Sequence, residues 1–255
     1  MDSNSNNHLA PVIYVADSPE QAINYKWDSR ANGLNRNVIV LEPHKIQELG
    51  EGNEHFFLPY DLTPGEVLIR HPYNQGYILA TKAEGEYIAA TAEGIFLIAR
   101  CLGATKITYK KCDIKQFKRE IDSNNSLKYK VVDLDVDVKK SKEEEVKNKI
   151  SMMREFPKDD NQGLTKEQFE KAKSIASERG LLMSTEIRSL LDARDPDLGA
   201  PMTRQTVNVE IFSSLNDALD IAFSLNTVPF FHLDSNTKIA TETKTVLSIE
   251  WEIVF

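Results

Sequence analysis

Residues 127–138, Leu-Lys-Tyr-Lys-Val-Val-Asp-Leu-Asp-Val-Asp-Val, set Val132, Leu134, Val136 and Val138 against Asp133, Asp135 and Asp137 in strict alternation. A period of two predicts an antiparallel strand with one face buried and the other wet. Leu247, Ile249, Trp251, Ile253 and Phe255 repeat the device, and Val207, Val209 and Ile211 do so more briefly. These segments predict a C-terminal antiparallel sheet of about four strands, with 127–138 at its centre.

The N-terminal part has a different rhythm. Val12–Ala16 is a short apolar run. Ser18, Pro19 and Gln21 then form a helix start: Ser18 caps, Pro19 suits the first helical position, and Gln21 completes a capping box. That helix is expected to reach about Ala31, with Gly33 ending it, before a second apolar strand at Asn37–Leu41. Strand, helix and strand at this spacing predict a parallel crossover. Short apolar runs at Val67–Ile69 and Tyr77–Ala80 predict two more strands. Ile88, Ala92, Ile95, Ala99 and Leu102 form one face of a helix over 87–102, capped by Gly103, and Thr105–Lys111 returns as a strand.

Charge of both signs is densest between Lys139 and Arg179. Val146, Ile150 and Met153 mark one helical face there. Thr165 with Gln168 opens a second helix carrying Phe169, Ala172, Ile175 and Ala176, and Ile187, Leu190 and Leu191 mark a third. These stripes are narrow and must borrow a surface, so 140–195 reads as a helical insertion on the sheet. Ser214 with Asp217 starts a further helix, and 228–255 reads as two strands joined by a turn near Asp234–Thr237. The expected fold class is α+β. A disordered leader at 1–10 precedes an α/β layer at 11–112 and an antiparallel sheet at 113–255; the last two are separate domains or one continuous domain.

Composition narrows the functional classes. The apolar fraction is 41%, the charged fraction 27% and the net charge −8, with a pI near 5.3. An acidic chain disfavours general binding to nucleic acid or anionic membranes. Met1–Ala10 has neither a basic region nor an apolar run, and Ile95–Ala99 is far too short to span a bilayer, so a cytoplasmic protein without a transmembrane helix is expected. Cys101 and Cys112 read as free, buried thiols.

Candidate chemistry is sparse. Glu42 closes the second strand where a dinucleotide fold places an acid against a ribose, but Ala16–Gln21 lacks the glycines of a phosphate loop. Asp17 and Glu42 read first as a cap and a turn acid. His71, in His71-Pro72-Tyr73-Asn74, could act as a general base beside Tyr73 or Asn74. His44 completes the set of weak catalytic candidates. No histidine or cysteine spacing suits a metal, and Asp133, Asp135 and Asp137 stand about 7 Å apart along a strand, too far to share one ion unaided. No metal and no cofactor are expected.

Two functions remain. The first is a non-catalytic protein that works by association, with a protein partner or with itself, and in one variant by rearrangement at a membrane. An antiparallel sheet carrying releasable helices is similar in layout, though in no motif, to perforin-like and gasdermin-like pore formers. The second is a nucleotide- or nucleic-acid-processing enzyme using the N-terminal α/β layer, which requires Asp17, Glu42, His44 and His71 to converge on one cleft.

Overall fold

In the computed structural model the described residues are 10–27, 37–42, 62–71, 76–124, 126–150, 153–156, 164–198, 202–228 and 231–255. They form an α+β fold with seven α-helices and two sheets. The chain divides into two compact units. The first comprises Met1–Ala83, Lys118–Lys130 and Ser214–Lys244, and the second Glu84–Phe117, Val131–Ser213 and Thr245–Phe255.

The four-stranded sheet contains β1 (Val12–Val15), β2 (Val38–Leu41), β3 (Val67–Arg70) and β4 (Tyr77–Leu79), in the order β2-β1-β3-β4. β1 and β2 are parallel, as the strand–helix–strand pattern predicts, whereas β3 and β4 run antiparallel to their neighbours. Every side chain of β1 is buried, which is why it reads as a continuous apolar run. Ile13, Val15, Leu41, Leu68 and Tyr77 form one core cluster. Helix α1 (Pro19–Trp27) starts where its caps place it: the Gln21 N–H donates to Ser18 Oγ (3.3 Å) and Gln21 Oε1 accepts the Asp17 N–H (2.7 Å). Its expected end at Ala31–Gly33 lies outside the described residues, as does the leader at 1–9.

Among the described residues of this unit, Gly65, at φ +84°, is the glycine on which backbone approach depends. A Cβ there would lie 2.8 Å from the His232 carbonyl oxygen and 2.9 Å from the Asp234 nitrogen. The Asp234 N–H donates to the Gly65 carbonyl at 3.0 Å. Two distant chain segments therefore meet at van der Waals range, and only glycine fits.

Helix α2 (Ala80–Cys101) begins seven residues before the expected Tyr87 and ends as predicted. Gly103, at φ +81°, donates to the Arg100 carbonyl and Ala104 to the Ala99 carbonyl, the paired bonds of a Schellman cap. The remaining helices are α3 (Val136–Ile150), α4 (Lys166–Glu178), α5 (Thr185–Ala193), α6 (Ser213–Ser224) and α7 (Ser235–Glu242). Thr165 and Gln168 form the expected capping box on α4, and Ser184 caps α5. Ile187, Leu190 and Leu191 are buried as their spacing predicts. Arg194 is buried beyond α5. It donates to the carbonyls of Leu102 and Met202 and stacks 4.2 Å from the Phe255 ring.

The second sheet holds β5 (Lys106–Ile121), β6 (Leu127–Val132), β7 (Met153–Glu155), β8 (Arg204–Glu210) and β9 (Thr243–Val254). Its order is β6-β5-β9-β8, with the short β7 pairing Lys106–Thr108 of β5. Leu247, Ile249, Trp251 and Ile253 are buried, as their alternation predicts, with Thr245 buried on the same face and Phe255 half-buried at the end of the chain. On the other face Lys110 pairs with Glu252 (2.9 Å) and Lys111 with Glu250 (3.3 Å). Consecutive lysines reaching acids two residues apart on one strand indicate a β-bulge at Lys110–Lys111.

Three expectations need correction. Met153 does not continue the helical face of Val146 and Ile150 but opens β7, which pairs with β5. The segment 127–138 is not one central strand. β6 stops at Val132, residues 133–135 have no regular structure, and Val136 opens α3. The Asp135 side chain accepts the Asp137 N–H (2.9 Å), and its carbonyl accepts the Lys139 N–H, so an acid of the alternation serves as a helix cap. Val131, Val132, Val136 and Val138 are 68, 39, 66 and 45% exposed, and β6 is an edge strand. Likewise, the Asp234–Thr237 turn is the start of α7: Asp234 Oδ1 accepts from Asn236 and Thr237, so a helix takes the place of the turn and of the beginning of the second tail strand, and residues 231–234 before it have no regular structure.

Candidate interaction edge

Asp17 and Glu42 follow β1 and β2. Because those strands are parallel, both acids stand at the same end of the sheet. His71 follows β3, which is antiparallel to β1 with Val12 opposite Ile69, so it lies at the other end. At about 3.3 Å per residue, that is roughly 20 Å from Asp17. His44 lies outside the described residues, as do Pro72, Tyr73 and Asn74. The expected convergence of Asp17, Glu42 and His71 on one cleft is therefore not what these strands provide. The polar groups nearest Asp17 serve the fold. Gln21 Nε2 donates to the Tyr14 hydroxyl (3.3 Å), which lies 3.2 Å from the His232 carbonyl and donates to it. Among the described residues, no three His, Cys, Asp or Glu side chains are grouped to hold a metal, and no helix is long and apolar enough to cross a membrane.

The structure reveals one polar network that the sequence reading missed. Arg119 is 1% exposed. Its Nε donates to Asp220 Oδ1 at 2.6 Å, Nη1 to the carbonyls of Thr241 and Thr243, and Nη2 to the carbonyl and side-chain oxygens of Asn216. A guanidinium has five N–H donors, and these five acceptors use all of them. No donor remains for a ligand, so Arg119 is a fastener. Tyr129 donates to Asp220 Oδ2 (2.5 Å), and its ring lies 4.2 Å from Lys244 Nζ. Burial, with Asp220 beside it, pushes the Tyr129 hydroxyl up to about 12. Nothing in the local pattern Phe117-Lys-Arg-Glu distinguishes this buried arginine from its exposed neighbours.

A groove of about 540 Å³ runs between α4 and α5, lined by Glu170, Lys173, Ser174, Arg188, Leu191 and Asp192 among others. Its charges answer each other: Lys173 pairs with Glu170 (3.4 Å), and Ser174 donates to Glu178 (2.6 Å). With both signs present and locally matched, it selects no ligand charge.

The edge strand β6 is different. The Asp122 N–H donates to the Ser126 carbonyl and closes the β5–β6 hairpin. That register pairs Ile121 with Leu127 and Gln116 with Val132. Hydrogen bonding alternates along such a pair. Lys128, Lys130 and Val132 face β5, while the N–H and C=O of Leu127, Tyr129 and Val131 point away from it. The outward row thus carries an aromatic ring that is 41% exposed and a valine that is 68% exposed. Lys128 and Lys130 project from the opposite face, Lys128 reaching Asp122 at 2.9 Å. Comparison of the chain with family models, with curated proteins and with solved structures finds no match.

Proposed function

We propose that the protein works by association, adding an extended segment of a partner protein to the free edge of β6. The observation that carries this reading is an edge strand whose outward backbone groups coincide with exposed Tyr129 and Val131. Strand addition draws affinity from such backbone groups and specificity from the alternating side chains beside them. Lysines on an edge discourage indiscriminate pairing, so Lys128 and Lys130 act as a filter. They favour a partner strand that alternates acidic and apolar residues, acids against the lysines and apolar groups against Leu127, Tyr129 and Val131.

A second copy of the chain fits this edge poorly. Antiparallel self-pairing about Tyr129 sets Lys128 opposite Lys130, and pairing about Lys130 sets that lysine opposite itself. Pairing about Val131 sets Tyr129 opposite Asp133 and Leu127 opposite Asp135. Each register leaves like charges or an apolar–acid mismatch.

Val131→Pro tests the reading, because it removes an outward N–H that β5 does not use. A labelled peptide of alternating glutamate and valine is expected to shift the Leu127–Val131 amide resonances of the wild type, with its affinity falling at least ten-fold against V131P. A lysine–valine peptide should bind neither. Equal binding of the acidic peptide to both proteins, or binding to neither, overturns the proposal.

A further inference from the structure

The alternation at 132–138 is spent only in part: β6 uses its first residue, residues 133–135 have no regular structure, with Leu134 half-buried between two exposed acids, and the rest lies in the first turn of α3. We infer that β6 has a second, longer form, in which residues 133–137 leave their present conformation and continue the strand along β5. This inference needs no partner and stands independently of the proposed function.

The first support is the open edge. β9 flanks one side of β5; on the other, β7 pairs Lys106–Thr108, and six-residue β6 reaches only Gln116. Among the described residues, Tyr109–Lys115 has no strand on that side. Lys139, Glu143 and Lys147 of α3 lie near enough to Cys112 to act electrostatically on its thiol, so α3 already follows this stretch.

The second support is register. Continued past Val132, the hairpin pairs Asp133 with Lys115, Leu134 with Ile114, Asp135 with Asp113, Val136 with Cys112 and Asp137 with Lys111. Leu134 and Val136 then join the face of buried Ile114 and half-buried Cys112, while the acids join the exposed face of Lys111, Asp113 and Lys115. A slip of one residue would invert both faces, so agreement on both is a stringent match. The one like-charge pair, Asp135 with Asp113, lies between two lysines, and Lys115 already reaches Asp113 at 3.7 Å.

The third support is how lightly the present form is held. The buried residues of α3 are Val146 and Ile150, in its second half. Its first turn is Val136, Asp137 and Val138, two β-branched residues and an aspartate, all weak helix formers. The Asp135 cap holds that turn, and the same carboxylate would oppose the long form by meeting Asp113. Asp135 therefore biases the choice from both sides, and replacing it should release the longer strand.

Asp135→Val is the test, with Val136→Ala/Val138→Ala as the opposing variant; every substituted side chain is exposed, so the core is untouched. The register points the Cys112 and Ile114 N–H groups at the open edge. Native-state hydrogen exchange in D135V should slow at these two amides by at least ten-fold as helical protection at 139–141, whose N–H groups bond the carbonyls of 135–137, is lost. V136A/V138A should leave Cys112 and Ile114 at the wild-type rate and strengthen protection at 139–141. If D135V speeds exchange at 139–141 while Cys112 and Ile114 stay unchanged, the helix has only frayed and the inference falls. No change at either set overturns it equally.

Discussion

Strands β6 and β9 draw on the same alternating device in one sheet, separated by β5 alone, yet their surroundings differ completely. β9 lies between β5 and β8, and Thr245 and the four apolar residues from Leu247 to Ile253 on one face are all buried. Among the described residues β6 has one neighbouring strand, and its valines are 39 to 68% exposed. Period two fixes which side chains share a face; the number of neighbours and the layer above decide whether that face is buried. β9 is held along its length, whereas β6 is pinned through its hairpin, where Tyr129 and Arg119 meet Asp220.

The comparison can be broken most directly by truncation. Trp251→Ala, at a position 1% exposed, is expected to destabilise by about 4 kcal/mol in urea titration, against less than about 0.5 kcal/mol for Val136→Ala. Similar losses at both sites would mean that the exposed segment is buried in solution. Next is the fastener. Asp220→Ala leaves the Arg119 charge without its carboxylate and is expected to cost about 3 kcal/mol. Tyr129→Phe, which removes one hydroxyl and leaves the guanidinium partners in place, should lose about 1 kcal/mol; a D220A midpoint no lower than that of Y129F would show that the carbonyls alone hold Arg119. Asp135→Ala sharpens the contrast on a smaller scale, with about 1 kcal/mol lost through the α3 cap.

The smallest effect concerns the exposed face of β9. Bonding to Lys110 holds the Glu252 carboxyl below its ordinary value, with Arg204 and Lys106 adding to this. A depressed carboxyl contributes stability above its unfolded value and loses it as pH falls through the lower folded value. In a carbon-detected titration Glu252 should therefore protonate below a typical glutamate, and Lys110→Ala should move it back up. An unchanged midpoint in K110A would assign the shift to the other cations.

Much of this fold is written in local signals. Ser18 and Thr165 mark helix starts because capping is a contact within four residues, and β1, β2 and β9 announce themselves by their apolar pattern. The misreadings share one cause, a local signal with two uses. Asp135 and Asp234 look like a strand acid and a turn residue until a following helix makes them caps. β5 is legible only in its first part, read as Thr105–Lys111, because the bulge at Lys110–Lys111 breaks the period that would reveal the rest of its sixteen residues. The candidate edge was legible as a pattern and misplaced in its surroundings. Arg119 was illegible, since each of its acceptors is about a hundred residues away.

The glycine at position 65 has a consequence for synthesis. Its contact with His232–Asp234 joins a segment made early to one made near the end of this chain, and the same unit also draws in Lys118–Lys130. At about 5–20 residues per second, a ribosome needs on the order of ten seconds between making the two sides of that contact. Through that interval the nascent β1–β3 layer must wait with apolar surface open to water, a window in which a chaperone would be most useful to this protein.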